Sequence, residues 1–134
     1  MPRYELTTDH ELSRAQKDVL AREITAVHTT VTGAPSALVH VIFWTTGIGN
    51  AYVDGAPRQG TYLQGWVRAG RRSETTTLLL GELAAAVVRS TGADAATVTV
   101  ALRETPTALV LEGGRTVGAP GAEDPWFADR WGSR

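Results

Sequence analysis

An internal repeat constrains this chain more than any other feature. Ala37 to Thr46 aligns with Ala96 to Thr105, and Thr32-Gly33 aligns with Thr91-Gly92, both at an offset of 59 residues (96 less 37, 92 less 33). Each half reads as strand, helix, helix-ending glycine, strand. Ser13 is placed to cap the first helix, whose apolar residues Leu20, Ile24, Val27 and Val31 recur at helical spacing. The second helix starts near Ser73, carries Leu79, Leu83, Ala86 and Val87 on one face, and stops at Gly92. Segments 37–44 and 96–102 are short and β-branched, as strands are.

The predicted fold is therefore α+β: two fused β-α-β units, at about 2–46 and 61–105, in a single domain of 134 residues. A Gly-rich connection runs from Gly47 to Gly60, and a C-terminal arm spans 106–134. A β-α-β crossover makes its two strands parallel, with the helix on one side. Two units can share a four-stranded sheet with both helices on one face. The other face is then bare, and Val39, Val41, Phe43, Val98, Val100 and Leu102 are expected to need cover from a closed oligomer. Residues 105–134, with strand-like Ala108-Leu109-Val110-Leu111, are expected to form an arm or hairpin that reaches a neighbour.

Composition narrows the function. A net charge of -1 and a pI near 6.3 point away from nucleic acid and anionic membranes. The absence of cysteine removes disulfides, thiol catalysis and cysteine-ligated zinc. No apolar run reaches the ~20 residues of a membrane span, and no leader pattern precedes Pro2, so a cytoplasmic location is expected. His10 and His40 lack metal-ligand spacing, and Gly47-Ile48-Gly49 lacks the third glycine of a dinucleotide fingerprint. Neither a cofactor nor a metal is expected.

The chemistry-bearing residues begin at the start of the chain. Met1-Pro2 leads straight into a strand, and removal of Met1 would leave Pro2 with a free secondary amine. An α-amine has a reference pKa of about 8, which burial or nearby cations lower toward neutrality. The repeat matches Pro2 with Thr61, so the amine has no counterpart in the second half. Arg68, Arg71 and Arg72 crowd the junction of third strand and second helix, where the helix dipole favours anions. They form either a solvated cluster or a carboxylate receptor. His28 borders the apolar stripe in the last turns before Gly33, where the dipole favours a protonated imidazole; it is either a core-edge histidine or a donor to a substrate oxygen. Glu112 stands before Gly113-Gly114, either solvated or in a site.

With these residues the chain resembles the tautomerase superfamily, and within it the cis-3-chloroacrylic acid dehalogenase group. The resemblance rests on Ile24-Thr25-Ala26-Val27-His28, Thr32-Gly33, Arg68-Ala69-Gly70-Arg71, Glu104-Thr105-Pro106 followed by Glu112, and Pro120-Gly121 with Trp126-Phe127. It implies a homotrimer whose sheets form a central barrel, and a small carboxylate substrate. It further implies Pro2 as the catalytic amine, His28, Arg68 and Arg71 as carboxylate ligands, and Glu112 as the residue that positions or activates water. The dehalogenases' tyrosine falls at Ala101 here, which weighs against hydrolytic dehalogenation; Tyr4, on the strand face of Pro2, is a candidate replacement. Two functions follow. One is a cofactor-independent tautomerase, with dehalogenation or hydration as a variant; the other is a catalytically weak trimeric binding scaffold. Leu38, His40 and Trp44 are candidate pocket walls.

Overall fold

The computed structural model describes residues 1–131. Strand β1 (Arg3–Thr8) is followed by helix α1 (Arg14–Thr32) and strand β2 (His40–Thr45). After a two-residue-strand hairpin, β3 (Tyr52–Val53) and β4 (Ala56–Pro57), the pattern repeats with β5 (Thr61–Arg68), α2 (Ser73–Thr91) and β6 (Val98–Thr105). The two 19-residue helices start and end at the 59-residue offset. Even their ends share chemistry. Thr32 Oγ1 donates to the His28 carbonyl and Thr91 Oγ1 to the Val87 carbonyl, each at 2.7 Å, before a left-handed glycine.

The sheet order is β2-β1-β5-β6, with β1 parallel to β2, β5 parallel to β6, and β1 antiparallel to β5. That central pairing sets Arg3 beside Trp66 and Thr7 beside Tyr62. The start of the chain thus lies at the end of β5, next to Arg68, while Thr61 lies at the opposite edge of the domain. Helices α1 and α2 pack on each other over one sheet face, burying Leu20, Ile24, Leu79 and Leu83 against Tyr4, Leu6, Leu63 and Val67. Each such side chain contributes roughly 1.5–3 kcal/mol of burial.

The bare face is not the one expected. Val39, Val41, Phe43, Val98, Val100 and Leu102 all pack against the helix-side core. Register explains it: Val41 and Phe43 pair with the buried Tyr4 and Leu6, and Val100 pairs with the buried Leu63, so all share the covered face. Alternation puts Arg3, Glu5, Trp44, Gln64, Trp66 and Arg103 on the open side. The strands β2 and β6 also begin later than the sequence pattern suggests, because 36–38 and 95–97 form single 3-10 turns.

The C-terminal arm takes the hairpin form and packs onto its own chain. Its β7 (Leu111–Glu112) and β8 (Arg115–Thr116) form a hairpin, and the short helix α3 (Trp126–Asp129) follows. Val117 and Phe127 bury themselves with Leu38 in a second small core. Gly113 is required at the hairpin turn: its φ is +60°, and a Cβ there would stand 2.5 Å from the Trp126 ring. This packing carries Glu112, Glu123 and Arg130 to the start of β1.

Candidate active site

The site forms where the start of β1, the end of α1, the end of β5, the start of α2 and the arm converge. Pro2 is buried there, and its carbonyl accepts from the His40 amide at 2.9 Å. The Met1 amine reaches both carboxylate oxygens of Glu112 at 2.8 Å. His40 Nε2 lies 2.5 Å and Arg130 Nη2 2.9 Å from Glu112 Oε1, and Arg130 also stands 3.1 Å from His40 Nε2. Burial pushes the Glu112 carboxyl up, but hydrogen bonds from the terminal amine, Arg130 and His40 outweigh it and hold it below the usual carboxylate range. Burial, the largest influence, lowers the Met1 amine below its ordinary value despite Glu112, and the charges of Arg130 and Arg68 add to the lowering.

A second cluster lies on the helix side. The Tyr4 hydroxyl and His28 Nδ1 are 2.6 Å apart, both side chains buried, while His28 Nε2 has no partner among the described residues. Tyr4 is seated over Gly65, where any Cβ would come within 2.5 Å of its ring. Burial raises the Tyr4 phenol well above its ordinary value, so it keeps its proton. His28 contradicts the protonated state its helix position suggests. Desolvation first, then Arg71, Arg68 and the terminal amine, push it down to about 3. A helix terminus offers only about 0.3–1 kcal/mol toward the charged form, too little to offset that burial.

The two arginines occupy different situations. Arg68 is fully buried; its Nη2 donates to Glu123 Oε1 at 2.6 Å and its Nη1 to the Gly118 carbonyl at 3.1 Å. Arg71 donates one bond, Nη1 to the Arg68 carbonyl at 3.2 Å. Its Nε and Nη2 are buried with no partner among the described residues. Those two atoms are one edge of the guanidinium fork, the edge that takes a carboxylate bidentately. Desolvation and the Arg68 charge hold Arg71 below the usual guanidinium range.

Beside the cluster of Met1, His40 and Glu112 lies a cavity of about 290 Å³, walled also by Arg3, Trp66, Thr105, Val110 and Leu111. Of the three candidate wall residues, only His40 reaches it; Leu38 is core, and Trp44 lies exposed at the far end of β2. Ala101 faces the open side of the sheet beside Gln64. Arg130 and Glu123 escaped sequence reasoning, because nothing in the pattern says where the arm folds. Among the described residues no group of His, Asp and Glu side chains is placed to hold a metal ion. No helix there is long and apolar enough to cross a membrane.

Comparison with known proteins decides the family. The model of the family described as "Putative oxalocrotonate tautomerase enzyme" matches residues 1–129. The chain belongs to the tautomerase superfamily. Among solved structures, native Ps01740 is 37% identical to this tautomerase-family chain, with a TM-score of 0.80 over 83% of it and all of Ps01740. N1, a member of the cis-3-chloroacrylic acid dehalogenase family, is 25% identical, with a TM-score of 0.89 over 95% of this chain and 91% of N1. The fused 4-OT protein Q0, a wild-type symmetric trimer, is 25% identical, with a TM-score of 0.78 over 84% of this chain and 92% of Q0. No curated protein sequence matches the chain.

Proposed function

We propose that this chain is a cofactor-independent tautomerase that moves a proton between carbon and oxygen of a small 2-oxo or enol carboxylic acid. The observation that carries this reading is the unpartnered, buried trio of Arg71 Nε, Arg71 Nη2 and His28 Nε2 beside the start of the chain. Buried donors without partners are costly, about 1–3 kcal/mol each, and an anionic ligand would satisfy them. Met1 is removed, and the Pro2 amine inherits surroundings in which burial and two arginines favour the neutral base. Arg71 takes the substrate carboxylate. His28, neutral and accepting from the Tyr4 hydroxyl, offers Nε2–H to the enolate oxygen. Glu112, held ionised, orients the amine.

Tautomerisation asks for one base and one set of oxyanion donors. Addition of water to a haloacrylate asks for an aligned water held by at least two groups. Here the Tyr4 hydroxyl is committed to His28, and Ala101 offers no hydroxyl, so chloride release from cis-3-chloroacrylate is expected to be slow. A homotrimer is part of the proposal. Its support is the symmetric trimer of the related fused 4-OT protein and several exposed apolar side chains, Ile48 at 82%, Leu109 at 77% and Leu111 at 72%.

The test has three parts. Intact mass should show loss of one methionine, light scattering should give three chains, and kcat/KM for phenylenolpyruvate should exceed that for cis-3-chloroacrylate by orders of magnitude. Retention of Met1 with full activity sinks the proline mechanism. Efficient chloride release that Pro2→Ala abolishes favours the dehalogenase reading instead.

A further inference from the structure

We infer that Glu123 sets the charge of the substrate: by pairing with Arg68 it leaves the site with one uncompensated cation, Arg71, and so selects monocarboxylates over dicarboxylates. This rests on the carboxylate-site reading above and adds what that reading leaves open, the number of charges the site accepts. A count of cations around the start of the chain carries it. Arg130 is matched by Glu112 at 2.9 Å. Arg68, its side chain wholly out of solvent, is matched by Glu123 at 2.6 Å. Arg3, half-exposed at the cavity wall, stacks on Trp66 at 4.6 Å with Glu5 at 3.8 Å. Arg71 makes no ion pair among the described residues; the charge of Glu123 reaches it from its place on Arg68, and that of Glu104, exposed and bonded to Thr76 Oγ1, reaches it less. The terminal amine shares Glu112 with Arg130 and adds no cation to the count when it is the neutral base proposed above.

Glu123 is built into this position. Its Oε1 also accepts the Gly121 amide at 3.1 Å, so the turn that carries it holds the carboxylate on Arg68. Arg71 feels the Arg68 charge, so a dianion engaged by Arg71 would find in Arg68 a cation whose charge Glu123 already matches, although Arg68 Nε has no partner among the described residues. In so enclosed a place an unmatched second negative charge is strongly disfavoured.

The experiment compares two probes of equal carbon count and shape, isocrotonate with one carboxylate and maleate with two, by calorimetric titration of the full-length protein. The expected wild-type result is at least tenfold tighter binding of isocrotonate. Glu123→Gln keeps an acceptor for Arg68 but removes the charge, and should shift the ratio of the two affinities about tenfold or more toward maleate, the scale of one charge-assisted hydrogen bond. Glu123→Asp, which keeps the charge, should return the ratio toward wild type. A wild-type preference for maleate overturns the inference, as does a ratio in Glu123→Gln within twofold of wild type. The wild-type ratio alone decides if the variant fails to fold. Absence of binding by either anion instead overturns the carboxylate site itself.

Discussion

The two ends of the sheet are the same structure built twice, and only one of them is equipped for chemistry. Applying the 59-residue offset, Arg68 of the site end corresponds to Asp9 at the other, Arg71 to Leu12, His28 to Val87, Tyr4 to Leu63 and Arg72 to Ser13. At the far end Asp9 is buried and paired with His10 at 2.9 Å, Leu12 is core, and Ser13 closes the helix with a reciprocal bond to Gln16. At the site end Arg72 makes no capping bond, and the arginines lie beside the open start of α2. A pocket of about 270 Å³ exists at the far end too, so a hollow beside a helix terminus comes with the fold. What distinguishes the site is unpartnered buried donors, the start of the chain, and an arm that covers this end alone.

The largest effect that tests this contrast is at the amine. Pro2→Ala should lower tautomerase kcat/KM by about 10²- to 10⁴-fold, the scale of a lost general base, whereas Thr61→Ala at the matching position should change it less than about twofold. Comparable losses at both would mean the two ends are not functionally different.

Next comes Arg71 against Leu12. Arg71→Ala should cost about 1.5–3 kcal/mol of transition-state binding, roughly tenfold to hundredfold in kcat/KM, with little change in melting temperature. Leu12→Ala should do the reverse, losing about 2–5 kcal/mol of stability with the rate per folded molecule intact. Steady-state kinetics and denaturant melts on both variants read the pair; a swap of the two outcomes would break the assignment.

The third comparison is by pH. His28 has a folded pKa depressed to about 3, from 6.5 when unfolded. Between those values the unfolded chain binds a proton that the folded chain refuses, so stability falls as pH falls below 6.5. One such group costs about 2 kcal/mol from pH 6.5 to 5. His28→Val, which copies Val87 of the other half, should flatten that slope in urea melts; an unchanged slope would mean that His28 accepts its proton in the folded state. The smallest effect is at the helix starts. Ser13→Ala should cost about 1 kcal/mol and Arg72→Ala less than about 0.5 kcal/mol, since only the first removes a capping bond.

Local pattern made the repeat, both helices with their glycine ends, the strand order within each unit and the family legible, because each depends on residues close together in sequence. Ser13, Gly33 and Gly92 act on their own helix turns, and the apolar stripes are periodic wherever the chain goes. Arg68 and Arg71 stood out for a local reason too, as cations at a helix start, while His28 and Glu112 were marked only by their places near a helix end and before a glycine pair. Tertiary structure decided the rest. Strand register turned six apolar residues toward the helices, and antiparallel pairing of β1 with β5 set Arg68 beside the chain's start and Thr61 far from it. Desolvation reversed the protonation that His28's helix position suggests. The arm's course brought Arg130 onto Glu112 and Glu123 onto Arg68, across 18 and 55 residues of chain. Burial and long-range charge pairing depend on what surrounds a group in space, and no periodicity in the sequence encodes that.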